Sequence, residues 1–158
     1  MIQIRMMKED DMQALYGDEA VKPLLMTEAW GDIYCIIADE DGKIVGGLSG
    51  SIKGSEAALQ VCAIGDVQTI NGTVLTEGLI RSILYVLDKR NVVKAYVTMD
   101  VAEAIRQKIG FQSIGKGELP EWIKYDSDAG SIDIKEFLPR TAVGAKRIDP
   151  RCKRGILI

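Results

Sequence analysis

The chain has 158 residues, of which 47% are hydrophobic and 27% are charged, a composition typical of a single globular domain. The formal net charge is −3, and no apolar run reaches the roughly 20 residues that span a bilayer. We therefore expect no insertion into a membrane. The N-terminus, MIQIRMMKEDD, becomes acidic where a secretory signal would need an apolar run, which favours a cytoplasmic location.

The chain contains no histidine. Ser-His-Asp and Cys-His nucleophiles are therefore excluded, because both need an imidazole base. The three cysteines, Cys35, Cys62 and Cys152, lie far apart without a CxxC pair, which predicts reduced, unreactive thiols and no metal site. Cys62 falls in the middle of the predicted strand 58–64, and we therefore predict that it is a small core residue. Any general base must be a carboxylate, tyrosine, lysine or water.

Charge is distributed unevenly along the chain. Residues 140–158 carry six basic side chains and one acidic side chain, a net charge of +5, whereas residues 1–139 carry 14 basic and 22 acidic side chains, a net charge of −8. We therefore predict a domain over 1–139 followed by a basic C-terminal tail or edge segment over 140–158. The tail binds phosphate groups, folds back onto the acidic domain or docks on a neighbouring subunit. Nucleic acid is disfavoured as a partner, because the acidic body repels it.

The first part of the chain predicts a strand, a helical region and a three-stranded meander. The strand covers 2–5, a helix covers 8–16, and Pro23 interrupts the next helical region, 21–30. The meander follows in three apolar segments, with a tight turn over 39–43 between the first two: 33–38, 44–52 and 58–64.

The second part alternates between helices and strands. A long amphipathic helix is predicted over 73–89, and a shorter one over 101–109 that ends at Gly110. The strands predicted around them cover 92–98, 111–114 and 131–137. A meander followed by crossover units requires a mixed sheet that is covered by helices.

Two segments carry a resemblance to a known family. The segment 102–111, AEAIRQKIGF, is similar to the late helix and Gly-Phe turn of the GNAT N-acetyltransferases, and 58–87 resembles their strand, cofactor loop and long helix. The resemblance covers about 1–137. It implies an α/β (mixed α+β) fold with a central mixed β-sheet of about six to seven strands flanked by helices. It also implies acetyl-CoA as co-substrate, no metal, and a small-molecule or peptide amine as acceptor, with a homodimer as an open alternative.

The family's cofactor loop has the pattern R/Q-x-x-G-x-G/A, and its exposed amides hold the pyrophosphate of acetyl-CoA. Here that loop is NGTVLT, so Val74 stands at the first glycine and the adjacent Glu77 adds negative charge. Thr73 serves either the phosphate or the N-cap of the helix. The resemblance implies cofactor contacts from these residues: Ala63, Ile64, Gly72, Thr73, Val74, Leu75, Thr76 and Arg106.

Two positions bear on the chemistry. Arg106 stands where the family often has a tyrosine that protonates the leaving thiolate, and an arginine cannot deliver that proton near neutral pH. It binds either a phosphate or carboxylate of a ligand, or only solvent. Asp66, at the end of the central strand, is the candidate catalytic base, with a role in the turn as the alternative.

Two functions remain open from the sequence. The first is transfer of acetyl from acetyl-CoA to a primary amine; the second is a catalytically inactive GNAT-like binding or assembly module. Acceptor choice is expected from the region 16–31. There, Trp30 and the acidic Asp18, Glu19 and Glu28 favour a cationic amine, or else form a solvated surface.

Overall fold

A computed structural model describes residues 1–66, 69–70, 72–98, 101–126 and 128–137. Within these ranges the chain forms nine strands, three α-helices and a further helical segment at 134–137. The helices are α1 Met12–Tyr16, α2 Leu75–Lys89 and α3 Glu103–Ile109. The strands are β1 Ile2–Met6, β2 Asp32–Glu40, β3 Lys43–Lys53, β4 Glu56–Ile64, β5 Thr69–Ile70, β6 Thr73–Val74, β7 Lys94–Thr98, β8 Gln112–Ile114 and β9 Ala129–Asp133. Short 3-10 turns occur at Glu9–Asp11, Lys22–Met26 and Lys116–Glu118.

Seven strands form one mixed sheet in the order β1-β2-β3-β4-β7-β9-β8. The pairs are antiparallel except for β4 and β7, which run parallel. The remaining two strands, β5 and β6, form a small antiparallel hairpin between β4 and α2. The predicted mixed sheet of six to seven strands with flanking helices is confirmed.

One face of the sheet, which we call the helix face, is covered by α2 and α3. The apolar stripe of α2 is buried against this face, with exposed fractions of 0% at Leu79 and Ile83. Burial of this stripe drives the helix onto the sheet, because each large apolar side chain removed from water contributes about 1.5–3 kcal/mol. The helix α3 ends at Gly110, whose φ of 115° is left-handed, so the predicted helix stop is confirmed.

The opposite face, which we call the loop face, carries two smaller clusters. One lies under α1 and the 3-10 turn Lys22–Met26, and includes Leu15, Val21 and Leu24. The other lies under the connection from β8 to β9, where Ile123 and Tyr125 pack on the sheet. Between these two covers, part of the loop face stays open.

Three predicted elements differ from the structure. The segment 8–16 is a 3-10 turn followed by a short helix, because the Asp11 carboxylate binds the Lys8 N–H and the Arg5 guanidinium and shapes a tighter turn. The helix predicted from Thr73 begins at Leu75, because 73–74 pair with β5. The predicted strand 131–137 ends at Asp133, and the chain is helical after it. The tail, 140–158, lies outside the described residues.

Candidate functional site

The parallel strands β4 and β7 separate halfway along β4. They pair from Glu56–Lys94 to Leu59–Val97, and β4 then continues to Ile64. Beyond Leu59, the edge of β4 that faced β7 pairs with no strand in the described part of the chain. The sheet therefore contains a gap with a free backbone edge.

A β-bulge lies where the strands separate. The register between β3 and β4 shifts, so that Ser49 faces Val61 and Gly50 faces Leu59, which leaves Gln60 as the extra residue. Bulges bend and twist the strand that carries them, which accounts for the departure of β4 from β7. The bulge also reverses the alternation of side chains, so that Cys62 lies on the helix face.

On the helix face the gap opens into a cleft of about 400 Å³, which we call the helix-side cleft. Its walls come from β3, β4, α2, β7 and the start of α3, and most of them are apolar. The lining residues are Leu48, Leu59, Gln60, Val61, Cys62, Ile64, Thr76, Val97, Thr98, Val101, Ala102 and Ile105.

The free edge of β4 supplies amides to this cleft. The N–H of Gly65 donates to the carbonyl of Val45 on β3 at 2.8 Å. Alternation along an antiparallel strand then directs the amides of Cys62 and Ile64 away from β3, into the gap, and that of Ala63 towards β3. The prediction of cofactor contacts from both Ala63 and Ile64 therefore needs correction, since Ala63 is also buried on the loop face.

The segment predicted to bind phosphate has an unexpected form. Gly72, with φ of 79°, lies in the connection between β5 and β6, and Thr73 pairs with Ile70. Asn71, the first residue of the sequence motif, lies outside the described residues. Val74 occupies the N-cap position of α2 with its side chain 47% exposed, and no side chain caps the helix. Thr73 is therefore not the N-cap.

The first turn of α2 places its residues differently. The side chain of Leu75 is fully buried in the core, whereas Thr76 lines the helix-side cleft. Glu77 is also buried, and its carboxylate binds Arg81 Nε at 2.9 Å and Lys108 Nζ at 3.3 Å. The bond from Arg81 and the adjacent Lys108 lower the pKa of Glu77. Arg81 and Lys108 thus neutralise the negative charge of Glu77, which the sequence led us to expect beside the phosphate.

Arg106 is buried, with 8% of its surface exposed, so the alternative of a solvated residue is wrong. Its Nε donates to the carbonyl of Val101 at 2.8 Å, and its side chain packs over Gly130. This bond ties α3 to the segment that precedes it. Arg106 is not among the residues that line the helix-side cleft.

Cys62 lies in the helix-side cleft and is exposed, so the prediction of a core residue is wrong. Its thiol is 3.8 Å from the hydroxyl of Thr76. Removal from water between the cleft walls raises the pKa of Cys62, so the thiol is protonated at neutral pH. The described residues that line the cleft include no tyrosine.

On the loop face the same gap opens into a second cavity of about 660 Å³, the loop-side cavity. It shares Gln60, Val61 and Thr98 with the helix-side cleft, so the two openings meet at the gap between β4 and β7. Its lining is mostly polar or aromatic, and comprises Met26, Glu28, Trp30, Gln60, Val61, Thr98, Lys124, Tyr125 and Asp126.

Asp66 lies at neither opening. It borders a separate cavity of about 200 Å³ with Asp18, Glu40 and Lys43, because β4 carries it past the gap to the end of the sheet. Its position does not support the predicted role as catalytic base. Of the acidic residues proposed to select the acceptor, only Glu28 lines the loop-side cavity, together with Trp30.

The fold is similar to that of solved acetyltransferases. The GNAT-family acetyltransferase from Staphylococcus aureus Mu50 matches with a TM-score of 0.65 and 15% identity, over 85% of this chain and 99% of that chain. PaiA N-acetyltransferase from Thermoplasma acidophilum, solved with coenzyme A, matches with a TM-score of 0.61 and 12% identity, over 84% and 99%. The chain has the GNAT fold.

A third match is N-acetylglutamate synthase from Neisseria gonorrhoeae, solved with coenzyme A and N-acetyl-glutamate. It has a TM-score of 0.63 and 15% identity, and the match covers 85% of this chain and 35% of the synthase. No protein-family model matches the sequence, and no curated protein matches it either. At these identities the likeness to GNAT structures concerns the fold.

Within the described ranges, no helix is long and apolar enough to cross a membrane. Nor do those ranges bring together three or more acidic or cysteine side chains in a group that could hold a metal ion.

The sequence did not lead us to predict that Gln60 and 124–126 line the site, or that Cys62 lies in the helix-side cleft. The bulge at Gln60 has no local signal in ALQVCAI, because simple alternation fits that segment equally well. The contribution of 124–126 depends on the return of the chain across the loop face after β8. The aromatic residues of the segment EWIKYD, unusual in a chain with 6% aromatics, were the available signal.

Proposed function

We propose that the protein is an N-acetyltransferase that transfers acetyl from acetyl-CoA to a primary amine. The observation that carries the proposal is the gap between β4 and β7. It joins an apolar cleft with free strand amides on one face to a polar cavity on the other. Two substrates that enter from opposite faces meet at the free edge of β4.

The residues present fit acetyl-CoA. The free edge of β4 offers hydrogen bonds to an extended chain with amide groups, as an added strand would. The N-terminus of α2, where Val74 at the N-cap makes no side-chain capping bond, offers backbone N–H groups and a positive helix end to phosphate, with Thr76 beside it. Glu77 does not oppose this, since Arg81 and Lys108 bind its carboxylate. The exposed side chain of Val74 is the one departure, because it covers backbone that glycine would leave bare.

Acetyl-CoA supplies the thioester carbonyl that the amine attacks. The amide N–H of Cys62, which faces the gap, is placed to donate to the oxygen that gains negative charge. The Cys62 thiol, which lies in the cleft and is protonated at neutral pH, is the candidate proton donor for the departing thiolate. Solvent that enters through the loop-side cavity is the candidate to accept the amine proton.

Binding of acetyl-CoA tests the proposal directly. We expect calorimetry to show binding to the full chain, and Ala102→Phe, which fills the cleft from the start of α3, to weaken it at least about tenfold. Ala104→Phe is the matched control, because Ala104 is exposed on the same helix outside the cleft and should bind normally. An absence of binding at millimolar acetyl-CoA would remove the enzyme hypothesis.

Alkylation of Cys62 gives a second readout. In a Cys152→Ser background, we expect maleimide to modify the exposed Cys62 and not the buried Cys35. Saturating acetyl-CoA should slow this reaction at least about fivefold, because the cleft is then filled. Equal labelling rates with and without acetyl-CoA would show that the donor binds elsewhere.

A binding or assembly module without catalysis is the second candidate. The absence of a tyrosine from the described cleft lining and the exposed Val74 at the N-cap of α2 favour it. Removal of 140–158 separates the two functions. Lost oligomerisation or partner binding, with an unchanged melting temperature and no turnover in the full chain, would support the module.

A further inference from the structure

We infer that the acceptor is an amine that carries a second positive charge, bound in the loop-side cavity through Glu28 and Asp126. The inference rests on the proposed function and specifies its acceptor.

The bulge residue Gln60 fixes one wall. Its Nε2 donates to the carbonyl of Glu28 at 2.8 Å, and its Oε1 accepts from the hydroxyl of Ser51. The backbone N–H of Trp30 donates to the same Ser51 hydroxyl at 3.2 Å. Because Ser51 is fully buried, the segment that follows Lys22–Met26 is anchored to the sheet beside the gap.

Aromatic side chains join this wall to the opposite one. The rings of Trp30 and Tyr125 meet edge to face, with 5.5 Å between centroids. The Tyr125 hydroxyl lies 2.7 Å from the carbonyl of Leu59, the last β4 residue that pairs with β7. With Met26 and Val61, these rings offer an apolar surface to the methylene groups of a linear amine.

The ionisable lining is predominantly acidic. Among the described residues, three charged side chains line the cavity, namely the carboxylates of Glu28 and Asp126 and the ammonium group of Lys124. Lys124 Nζ donates to the backbone carbonyl of Glu121, which occupies one of its three protons. Trp30 Nε1 donates to Glu28 Oε2 at 3.1 Å, so the Glu28 carboxylate is held at the cavity while its other oxygen stays available.

This arrangement distinguishes the two ends of a diamine. The reacting amine must lose its charge and reach the gap near Val61 and Thr98, where the part of the lining that the structure describes carries no ionisable group. The distant ammonium remains charged and is attracted to Glu28 and Asp126. A carboxylate at the same distance would be repelled by both. Acceptors with an anionic far end are therefore disfavoured.

Three amines of similar length test the inference: putrescine, butylamine and γ-aminobutyrate, which differ in the charge of the far end. Calorimetry with the full chain, without acetyl-CoA, is expected to rank their affinities in that order. Putrescine should bind about tenfold more tightly than γ-aminobutyrate. Equal affinities, or tighter binding of γ-aminobutyrate, would overturn the inference.

Matched variants locate the effect. Glu28→Gln and Asp126→Asn are each expected to weaken putrescine binding about threefold to fivefold, and to weaken binding of butylamine, whose single ammonium is also attracted to these carboxylates, by a smaller factor. The controls Glu9→Gln and Asp10→Asn remove the same charges from an exposed turn outside both openings and should change neither. If the controls weaken putrescine as much as the cavity variants, the preference reflects net charge and the inference fails.

Failure of the proposed function has a different signature. Selective putrescine binding that depends on Glu28 and Asp126, without thiol release when acetyl-CoA is added, supports the cavity assignment and removes the acetyltransferase. Thiol release with all three amines at equal kcat/KM supports the acetyltransferase and overturns the acceptor assignment.

Discussion

The two openings at the gap between β4 and β7 share a boundary but differ in construction. The helix-side cleft lies among apolar side chains that pack in the largest core cluster, beneath α2 and α3. The loop-side cavity is held by hydrogen bonds among Gln60, Ser51 and Glu28, and by the Tyr125 hydroxyl. One face is thus stabilised by burial, and the other by a polar network on a thinner apolar cover.

This difference follows from what covers each face. A 15-residue helix brings a continuous apolar stripe and satisfies its own backbone, so the helix face needs few polar contacts. Loops bring unpaired backbone groups to the loop face, and these must find partners when buried. Gln60, Ser51 and Tyr125 supply them, and the same side chains fix the position of Glu28 and Trp30. Five variants test how far the two faces differ.

Gly50→Ala is expected to have the largest effect, because it acts on the sheet that both faces share. An added Cβ would lie 1.9 Å from the carbonyl of Ala58 and 2.4 Å from the hydroxyl of Tyr34, which donates to that carbonyl. We expect a loss of at least about 3 kcal/mol in the free energy of unfolding, or no folded protein. Gly117→Ala, which meets no atom within 4 Å, is the control in urea unfolding. Similar midpoints for the two variants would contradict the described β3–β4 register.

Leu79→Ala tests the helix face. Leu79 is fully buried in the largest cluster, so its truncation should lower the free energy of unfolding by about 3–4 kcal/mol. Leu24→Ala, in the smaller cluster on the loop face, is expected to cost about 2 kcal/mol. Chemical denaturation measures both. A cost at Leu24 as large as that at Leu79 would show that apolar burial stabilises the two faces equally.

Tyr125→Phe tests the polar network while keeping the ring in place. The variant removes the hydroxyl that lies within hydrogen-bond distance of the carbonyls of Leu59 and Tyr96. We expect a loss of about 1–2 kcal/mol in the free energy of unfolding and weaker putrescine binding. Tyr16→Phe, at a side chain that is 60% exposed, should leave both quantities unchanged. If Tyr125→Phe changes neither quantity, packing alone holds the connection from β8 to β9 on the loop face.

Glu77→Gln is expected to give the smallest change, and one that depends on pH. The pKa of Glu77 is lowered in the folded protein, mainly by the bond from Arg81, so its stabilisation is present above the unfolded carboxyl pKa. It is lost as pH falls through the folded-state pKa. We expect about 1 kcal/mol or less between wild type and variant at neutral pH, and no difference in acid. Glu121→Gln, at an exposed residue, should show no such trend. A difference that persists in acid would point to packing.

The sequence predicted the elements better than the site. The meander, the long amphipathic helix and the stop at Gly110 follow from local periodicity and backbone preference, and the structure confirms them. The phosphate-binding segment was less predictable, because NGTVLT fits both a degraded loop and a hairpin turn before a helix. Only the pairing of Thr73 and Val74 with β5 distinguishes them.

The sequence by itself determined which segments pack and which chemistry is excluded, because apolar spacing and the absence of histidine are properties of the linear chain. Tertiary structure alone decided which residues meet. One extra residue at Gln60 moves Cys62 to the helix face. The continuation of β4 past the gap places Asp66 away from it. The loops on the loop face bring Glu28 and Asp126, which lie far apart in sequence, to the same cavity. Side-chain direction after a bulge, and contacts across a sheet, depend on strand pairing, which no local pattern encodes.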